Sequence, residues 1–259
     1  MLPGPSRIHG RASFVETGIF VETGIFVNVA FKVSAAFAGV TAVLVLAAWM
    51  TPHRHRVSSF PSDAARADFR LVQSQKADHL EVGTLLVASR DLADPSFSKT
   101  VILITQKDDD GVVGLILNRV TDVPVSRALE GLKGTEENSD PVYVGGPVGN
   151  TSVFALAKSA AKTEGADQVF GDVYLFRRKA PLELAIGKRP SAERFHIYLG
   201  YAGWTNGQLR REVEIGAWFV FHPDDAMVFD PNPETLWTRL IKRTEQKFAG
   251  GGSRRAGAA

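Results

Sequence analysis

The chain has 259 residues, an ordinary apolar content of 44% and a formal net charge of +2, enough for one well-buried domain or two small ones. It contains no cysteine, which excludes disulfides, thiolate catalysis, iron–sulfur clusters and cysteine zinc sites together. The first 67 residues carry six basic and three acidic side chains, and the remainder carries 24 against 25. No basic stripe marks that remainder as a binder of phosphate backbones, so nucleic acid is not expected as a partner.

Residues 1–32 read as an unstructured extension in which VETGIF occurs twice in tandem, at 15–20 and 21–26. Residues 33–52 hold no charged side chain, and as a helix they would span about 30 Å, the thickness of a bilayer's hydrocarbon core. HRHR at 53–56 reads as a polar flank at headgroup level, and a polar linker runs on to residue 82. Ala65-Arg66-Ala67 has the small-x-small form of a signal-peptidase site, but it lies far from the apolar centre, which favours an anchor over cleavage. The expectation is a chain held at a membrane through residues 33–52, on a side left open. The alternatives are export after cleavage near Ala67 and a cytoplasmic product started near Met50.

From residue 83 the pattern is that of an α+β domain reaching residue 248. Residues 83–89 read as a strand, followed by a turn at DLADP. Two apolar runs, 100–106 and 112–118, flank KDDDG and predict a hairpin turning at Asp110–Gly111. Val125, Ala128, Leu129 and Leu132 have the i, i+3, i+4, i+7 spacing of an amphipathic helix. Strands are predicted at 142–144, 153–156, 169–176, 195–199 and 218–221, with short helices at 181–187 and 208–215. In the last helix Asn232 is placed to cap, Pro233 suits the first helical position, and Leu236, Trp237, Leu240, Ile241 and Phe248 form one apolar stripe. Residues 249–259 read as a flexible tail. Many strands with few helices between them predict a single α+β domain with a mixed, mostly antiparallel sheet or partial barrel, preceded by the hydrophobic segment.

The most distinctive stretch is LGYAGWTNGQL at 199–209, which places Gly200, Gly203, Gly207, Tyr201 and Trp204 around one helix start. Phe195, Ile197 and Leu199 alternate with polar neighbours, so a strand is expected to break on glycine. Thr205 and Gln208 have capping-box spacing at the helix that follows. Together with GTLLVASRDLADPSF (83–97), GLILNR (114–119), PVYVGGPV (141–148), GAWFVF (216–221) and DPNPETLW (230–237), this order of motifs resembles the YqgE/AlgH family of bacterial proteins. After GGPV the family usually reads Arg and then Phe-x-Leu-His; here Ser152, Val153, Phe154, Ala155, Leu156 and Ala157 stand instead. The resemblance implies an α+β domain and no established reaction.

Chemistry-bearing clusters have bland competitors. Gly145 and Gly146 follow a strand and could cradle an anion, yet Pro147 and Val148 stand where a phosphate loop needs donors, so a chain corner is favoured. His222, Asp224 and Asp225 are adjacent on a turn, where metal-ligand side chains diverge; a strand exit with a capping aspartate is favoured. Asp108, Asp109 and Asp110 lack the spaced oxygens of a calcium loop. No nucleophile–base arrangement is readable, so no catalytic residue, metal or cofactor is expected. The leading reading is a non-enzymatic binding or regulatory module at a membrane, with a protein partner open. The alternative is an enzyme or small-molecule binder whose site gathers Asp94, Asn118, Gly145, Gly146, Tyr201, Trp204 and Gln208. The default for Tyr201 and Trp204 is packing against the neighbouring helix.

Overall fold

The computed structural model describes residues 77–251 apart from 189, 223 and 224, and the side chains up to Glu245. The apolar segment 33–52, the tandem repeat, HRHR, the linker up to residue 76, Phe248 and the tail beyond residue 251 lie outside what is described. Among the described residues no helix is long and apolar enough to cross a membrane.

Among the described residues, ten strands and five short or terminal helices alternate. β1 (Leu85–Ala88), β2 (Val101–Lys107) and β3 (Gly111–Ile116) form a meander, with β10 (Trp218–Phe221) on the far side of β1. The β2–β3 turn is the predicted one. Asp108 organises it, its Oδ1 accepting the Asp110 and Gly111 N–H groups at 3.0 and 3.1 Å. β4 (Val120–Pro124) pairs with β5 (Pro141–Val144), and α1 (Val125–Ala128) lies between them in sequence. β6 (Val148–Lys158), β7 (Asp167–Phe170) and β8 (Val173–Phe176) complete the other half of the sheet, followed by α2 (Lys179–Gly187) and β9 (Phe195–Thr205). α3 (Gln208–Glu214), α4 (Asp225–Val228) and α5 (Pro233–Gly251) finish the described chain.

The strands form one curled sheet in the order β10-β1-β2-β3-β9-β6-β8-β7, with β5 also on β9 and β4 on β5. Every described pair is antiparallel except β5–β9. β9 is the spine. Its C-terminal half pairs with β3 at residues 202–205, its N-terminal half with β5 at 198–199, and β6 runs along the opposite edge. Successive β9 side chains alternate between two buried clusters, as a pleated strand requires. Tyr198, Ala202 and Trp204 join the larger core with β1, β2, β10 and α5. Phe195, Ile197 and Leu199 join Val125, Leu129, Val153, Leu182 and Ile186 in the second. Each fully buried aliphatic there contributes about 1.5–3 kcal/mol relative to exposure.

Several local expectations need correction. β9 does not break at Gly200 but runs through it: the residue takes φ +70° where the β6–β9 register shifts, between the Leu199 and Tyr201 pairings. Residues 169–176 are not one strand: Gly171, at φ +45°, turns β7 back onto β8. The helix expected over 125–132 ends at Ala128, and Leu129 and Leu132 stay buried from the following turns. β4 stands outside the predicted strands. The capping box forms only in half: Gln208 Oε1 accepts the Thr205 N–H at 3.1 Å, but Gly207 is the N-cap and the Thr205 hydroxyl bonds that same oxygen. α5 starts at Pro233 as expected, with Leu236, Trp237, Leu240 and Ile241 buried; the Asn232 carbonyl accepts the Thr235 N–H.

Candidate functional site

The glycine pair is where two stretches of backbone cross. Gly145 donates its N–H to Leu199 O at 2.7 Å, and its carbonyl accepts the Ile116 N–H at 2.9 Å. A Cβ on Gly145 would lie 2.2 Å from Gly200 O, and one on Gly146 would lie 2.0 Å from the Tyr201 carbonyl carbon. Glycine is needed on both chains at this contact, since a Cβ on Gly200 would meet Gly146 O at 2.6 Å. The Gly145 N–H is already engaged by Leu199 O, and the pair forms a corner where the two backbones touch.

Trp204 and Trp218 are packed edge to face, with centroids 5.9 Å apart, and Phe97 stacks on Trp204 at the same separation. Both indole N–H groups converge on Glu212 Oε2, at 3.0 Å from Trp204 and 2.8 Å from Trp218. Gln208 Nε2 donates to the other oxygen, Oε1, at 3.0 Å. α3 thus turns its Gln208 and Glu212, four residues apart on one face, toward the tryptophans. With Trp204 only 2% exposed, this is a buried lock and not an open aromatic platform. Tyr201 is half-buried, edge-on to Phe154 at 6.0 Å.

Asn118 clamps the turn that precedes β2. Its Oδ1 accepts the Val101 N–H at 2.7 Å and its Nδ2 donates to Lys99 O at 2.9 Å. Asp94 opens that turn, its Oδ1 accepting the Ser96 N–H at 2.7 Å. The seven nominated residues therefore occupy two linked neighbourhoods. Gly145 and Gly146 meet Gly200 and Tyr201, while the Asp94 turn reaches Trp204, Gln208 and Glu212 through Phe97. Asp94, Asn118, Trp204 and Gln208 each have a polar side-chain atom bonded to protein.

Sequence reading passed over three groups. Glu212 was invisible because an acid in an arginine-rich helix reads as solvent-facing; its spacing of four from Gln208 and eight from Trp204 was the available signal. His196 is 7% exposed, stacked on Tyr143 at 4.6 Å between centroids, with Phe229 at 5.2 Å. Its Nε2 lies 3.5 Å from Tyr143 Oη and its Nδ1 3.4 Å from Tyr198 Oη. Burial pushes the imidazole down to about 4 against a weaker upward pull from the Ala192 carbonyl, and it pushes the Tyr198 phenol well above its ordinary range. All three rings are closed off from solvent. The third is Arg119, whose Nη2 donates to Pro95 O at 3.1 Å.

A cavity of about 220 Å³ lies between the β2–β3 turn and the start of α3, lined among others by Leu80, Lys107, Gly111, Asn206 and Arg210. Its cations are paired, Lys107 with Glu81 at 2.9 Å and Arg210 with Asp78 at 2.8 Å. Among the described residues no three His, Asp or Glu side chains are grouped to hold a metal ion. Asp225 is paired with Lys158, and His222 is exposed.

Residues 85–249 match a family described as AlgH-like, DUF179. A UPF0301 protein of Streptomyces avermitilis is 38% identical over 173 residues, covering 64% of this chain and 88% of the relative. One of Mycolicibacterium smegmatis is 35% identical over 175 residues, covering 64% and 84%. The solution structure of the AlgH protein from Pseudomonas aeruginosa superposes with a TM-score of 0.53 at 28% identity, over 68% of this chain and 95% of that one. The crystal structure of a Corynebacterium diphtheriae protein gives the same TM-score at 23% identity, over 63% and 87%, and so shares the fold. On the family match over most of its length, the chain belongs to the AlgH-like DUF179 family.

Proposed function

We propose that this protein is a non-enzymatic binding or regulatory module held at a membrane by residues 33–52. The observation that carries the non-enzymatic half is the use of its polar side chains. Asn118 binds backbone at both ends of its amide, Glu212 binds two indoles and an amide, and Asp94 holds its own turn. A catalytic acid, base or nucleophile needs an unengaged atom within reach of a substrate. The membrane half rests on the sequence: twenty uncharged residues followed by HRHR, ahead of a domain whose cores are filled without them.

Fractionation of cells expressing the native gene, with N-terminal sequencing of the product, tests the location. An intact chain in the membrane pellet is expected. A soluble product starting at or near Met50, or an exported one starting near Asp68, overturns the anchor. Turnover of hydrolase or phosphatase substrates by the full-length protein, abolished by one polar substitution, overturns the non-enzymatic reading.

A further inference from the structure

Arg119 follows Asn118 directly, at the rim between β3 and β4. Its carbonyl accepts the Val144 N–H at 2.8 Å, so Arg119 and Val144 stand opposite each other, one step beyond the Val120–Tyr143 match of β4 and β5. Residues directly opposite on neighbouring antiparallel strands share a face. Tyr143 takes the buried face, while Val144 is 37% exposed on the other, with Arg119 beside it.

The guanidinium is half-buried, and its surroundings strip enough water from it to lower its pKa, against the opposing pull of the Asp94 charge. Yet its hydrogen bonding among the described residues is a single contact to a neutral carbonyl, Pro95 O at 3.1 Å. Asp94 does not reach ion-pair distance; its Oδ1 is held by the Ser96 N–H. A guanidinium offers five donors in a planar fork that fits two oxygens of a carboxylate or phosphate, and with one protein acceptor taken the rest of this fork is open to an incoming oxyanion. The turn beside it supplies more of the same chemistry. Lys99 carries an exposed side chain on a left-handed backbone at φ +57°, a conformation held by the Asn118 amide.

We propose that Arg119 anchors an oxyanion-bearing ligand, a carboxylate or a phosphate group, at the turn of residues 94–99, with Pro95 and Val144 as its apolar shoulder. The proposal names the ligand chemistry of the binding module and rests on that reading.

The test uses full-length protein in mild detergent with arginine labelled in nitrogen-15. Sodium phosphate and sodium acetate are titrated separately at constant ionic strength, and the Arg119 Nε–H resonance is followed. A saturable shift with either salt is expected, the responding anion telling phosphate from carboxylate. Arg119→Gln, followed through the indole resonances of Trp204 and Trp218, is expected to weaken binding at least about tenfold, and Arg119→Lys, which keeps the charge but loses the fork, by less. No saturable shift with either salt, or unchanged affinity in Arg119→Gln, overturns the proposal. Should Arg119→Gln fail to fold, unchanged affinity in Arg119→Lys overturns it. Failure here leaves the fractionation result untouched, so the membrane reading and the oxyanion site fall separately.

Discussion

Trp237 donates its indole N–H to the carbonyl of Ala88 at 2.8 Å, across 149 positions of sequence. This bond ties α5 to β1 at a point where the strand's other partners, β2 and β10, are already in place. The Arg90 guanidinium lies over the same ring, 5.5 Å from its centroid, and is itself paired with Glu245 one helix stretch further on. Helix α5 is therefore held by one buried aromatic with a polar tip, framed by Leu236, Leu240 and Ile241.

Trp237→Ala is expected to destabilise the fold by about 3–5 kcal/mol, as other large-to-small core changes do. Trp237→Phe keeps most of the apolar surface but leaves the Ala88 carbonyl without its donor, a cost of about 1–3 kcal/mol. Urea denaturation of both variants separates packing from hydrogen bonding. A melting curve unchanged by Trp237→Ala would place the ring outside the core.

Glu212 is the second structural hinge of the domain. Glu212→Ala removes the acceptor that the indole N–H groups of Trp204 and Trp218 share, in a site that water reaches poorly, so a loss of about 2–5 kcal/mol is expected. Glu212→Gln keeps one acceptor oxygen for the indoles and should lose less than half of that. Tryptophan fluorescence during unfolding reports on the same pair of rings. Equal stability of the Ala and Gln variants would show that the carboxylate contributes nothing through those bonds.

His196 makes stability depend on pH in a defined window. Its folded pKa is held down to about 4 by burial, below the ordinary 6.5 that it regains on unfolding. The unfolded chain then binds the proton more readily, so the contribution is complete above pH 6.5 and declines as the pH falls from 6.5 through 4. At about 1.4 kcal/mol per pH unit, up to about 3 kcal/mol is lost across that span. The surface carboxylates of Asp225 and Glu245 are held below their ordinary range by hydrogen bonds from Lys158 and Arg90, and solvent screens what they contribute. His196→Gln is expected to flatten the stability profile between pH 6.5 and 4. A slope there that survives the substitution would assign it to another group.

What the sequence disclosed follows from how local its causes are. The β2–β3 hairpin is legible because an aspartate-rich turn ending in Gly111 sits between two apolar runs, and α5 because Pro233 and a 3.6-residue stripe define it without help from the rest of the chain. β4 was not legible: VTDVP carries an aspartate and a proline, and only its partner β5 makes it a strand. β9 misled for the opposite reason. Gly200 reads as a strand breaker, but its positive φ serves a crossing with Gly146, which lies 54 positions earlier. The nominated residues fall in two neighbourhoods: Asn118 and Gln208, read as groups that could orient a ligand, bond to backbone and to Glu212, and Trp204 packs against α3 as its default reading expects. Partners distant in sequence set those directions.

The glycines offer a graded test of that crossing. Gly146→Ala places a methyl 2.0 Å from the Tyr201 carbonyl carbon and 2.3 Å from the Ala202 nitrogen, both backbone atoms that cannot rotate away. β9 is paired on both edges and cannot retreat without parting from β3 or β6. Loss of the folded state, or destabilisation beyond about 4 kcal/mol, is expected. Gly171→Ala has open space around the added methyl and carries only the cost of φ +45°, about 1–2 kcal/mol. Gly187→Ala, in the last turn of α2 with open space and no positive φ, is expected to stabilise by about 0.4–1 kcal/mol. Thermal melts of the three variants should therefore rank Gly146 far below wild type, Gly171 modestly below and Gly187 above. A Gly146→Ala variant that melts like Gly171→Ala would mean that β5 and β9 do not approach as closely as the Gly145–Gly146 corner requires.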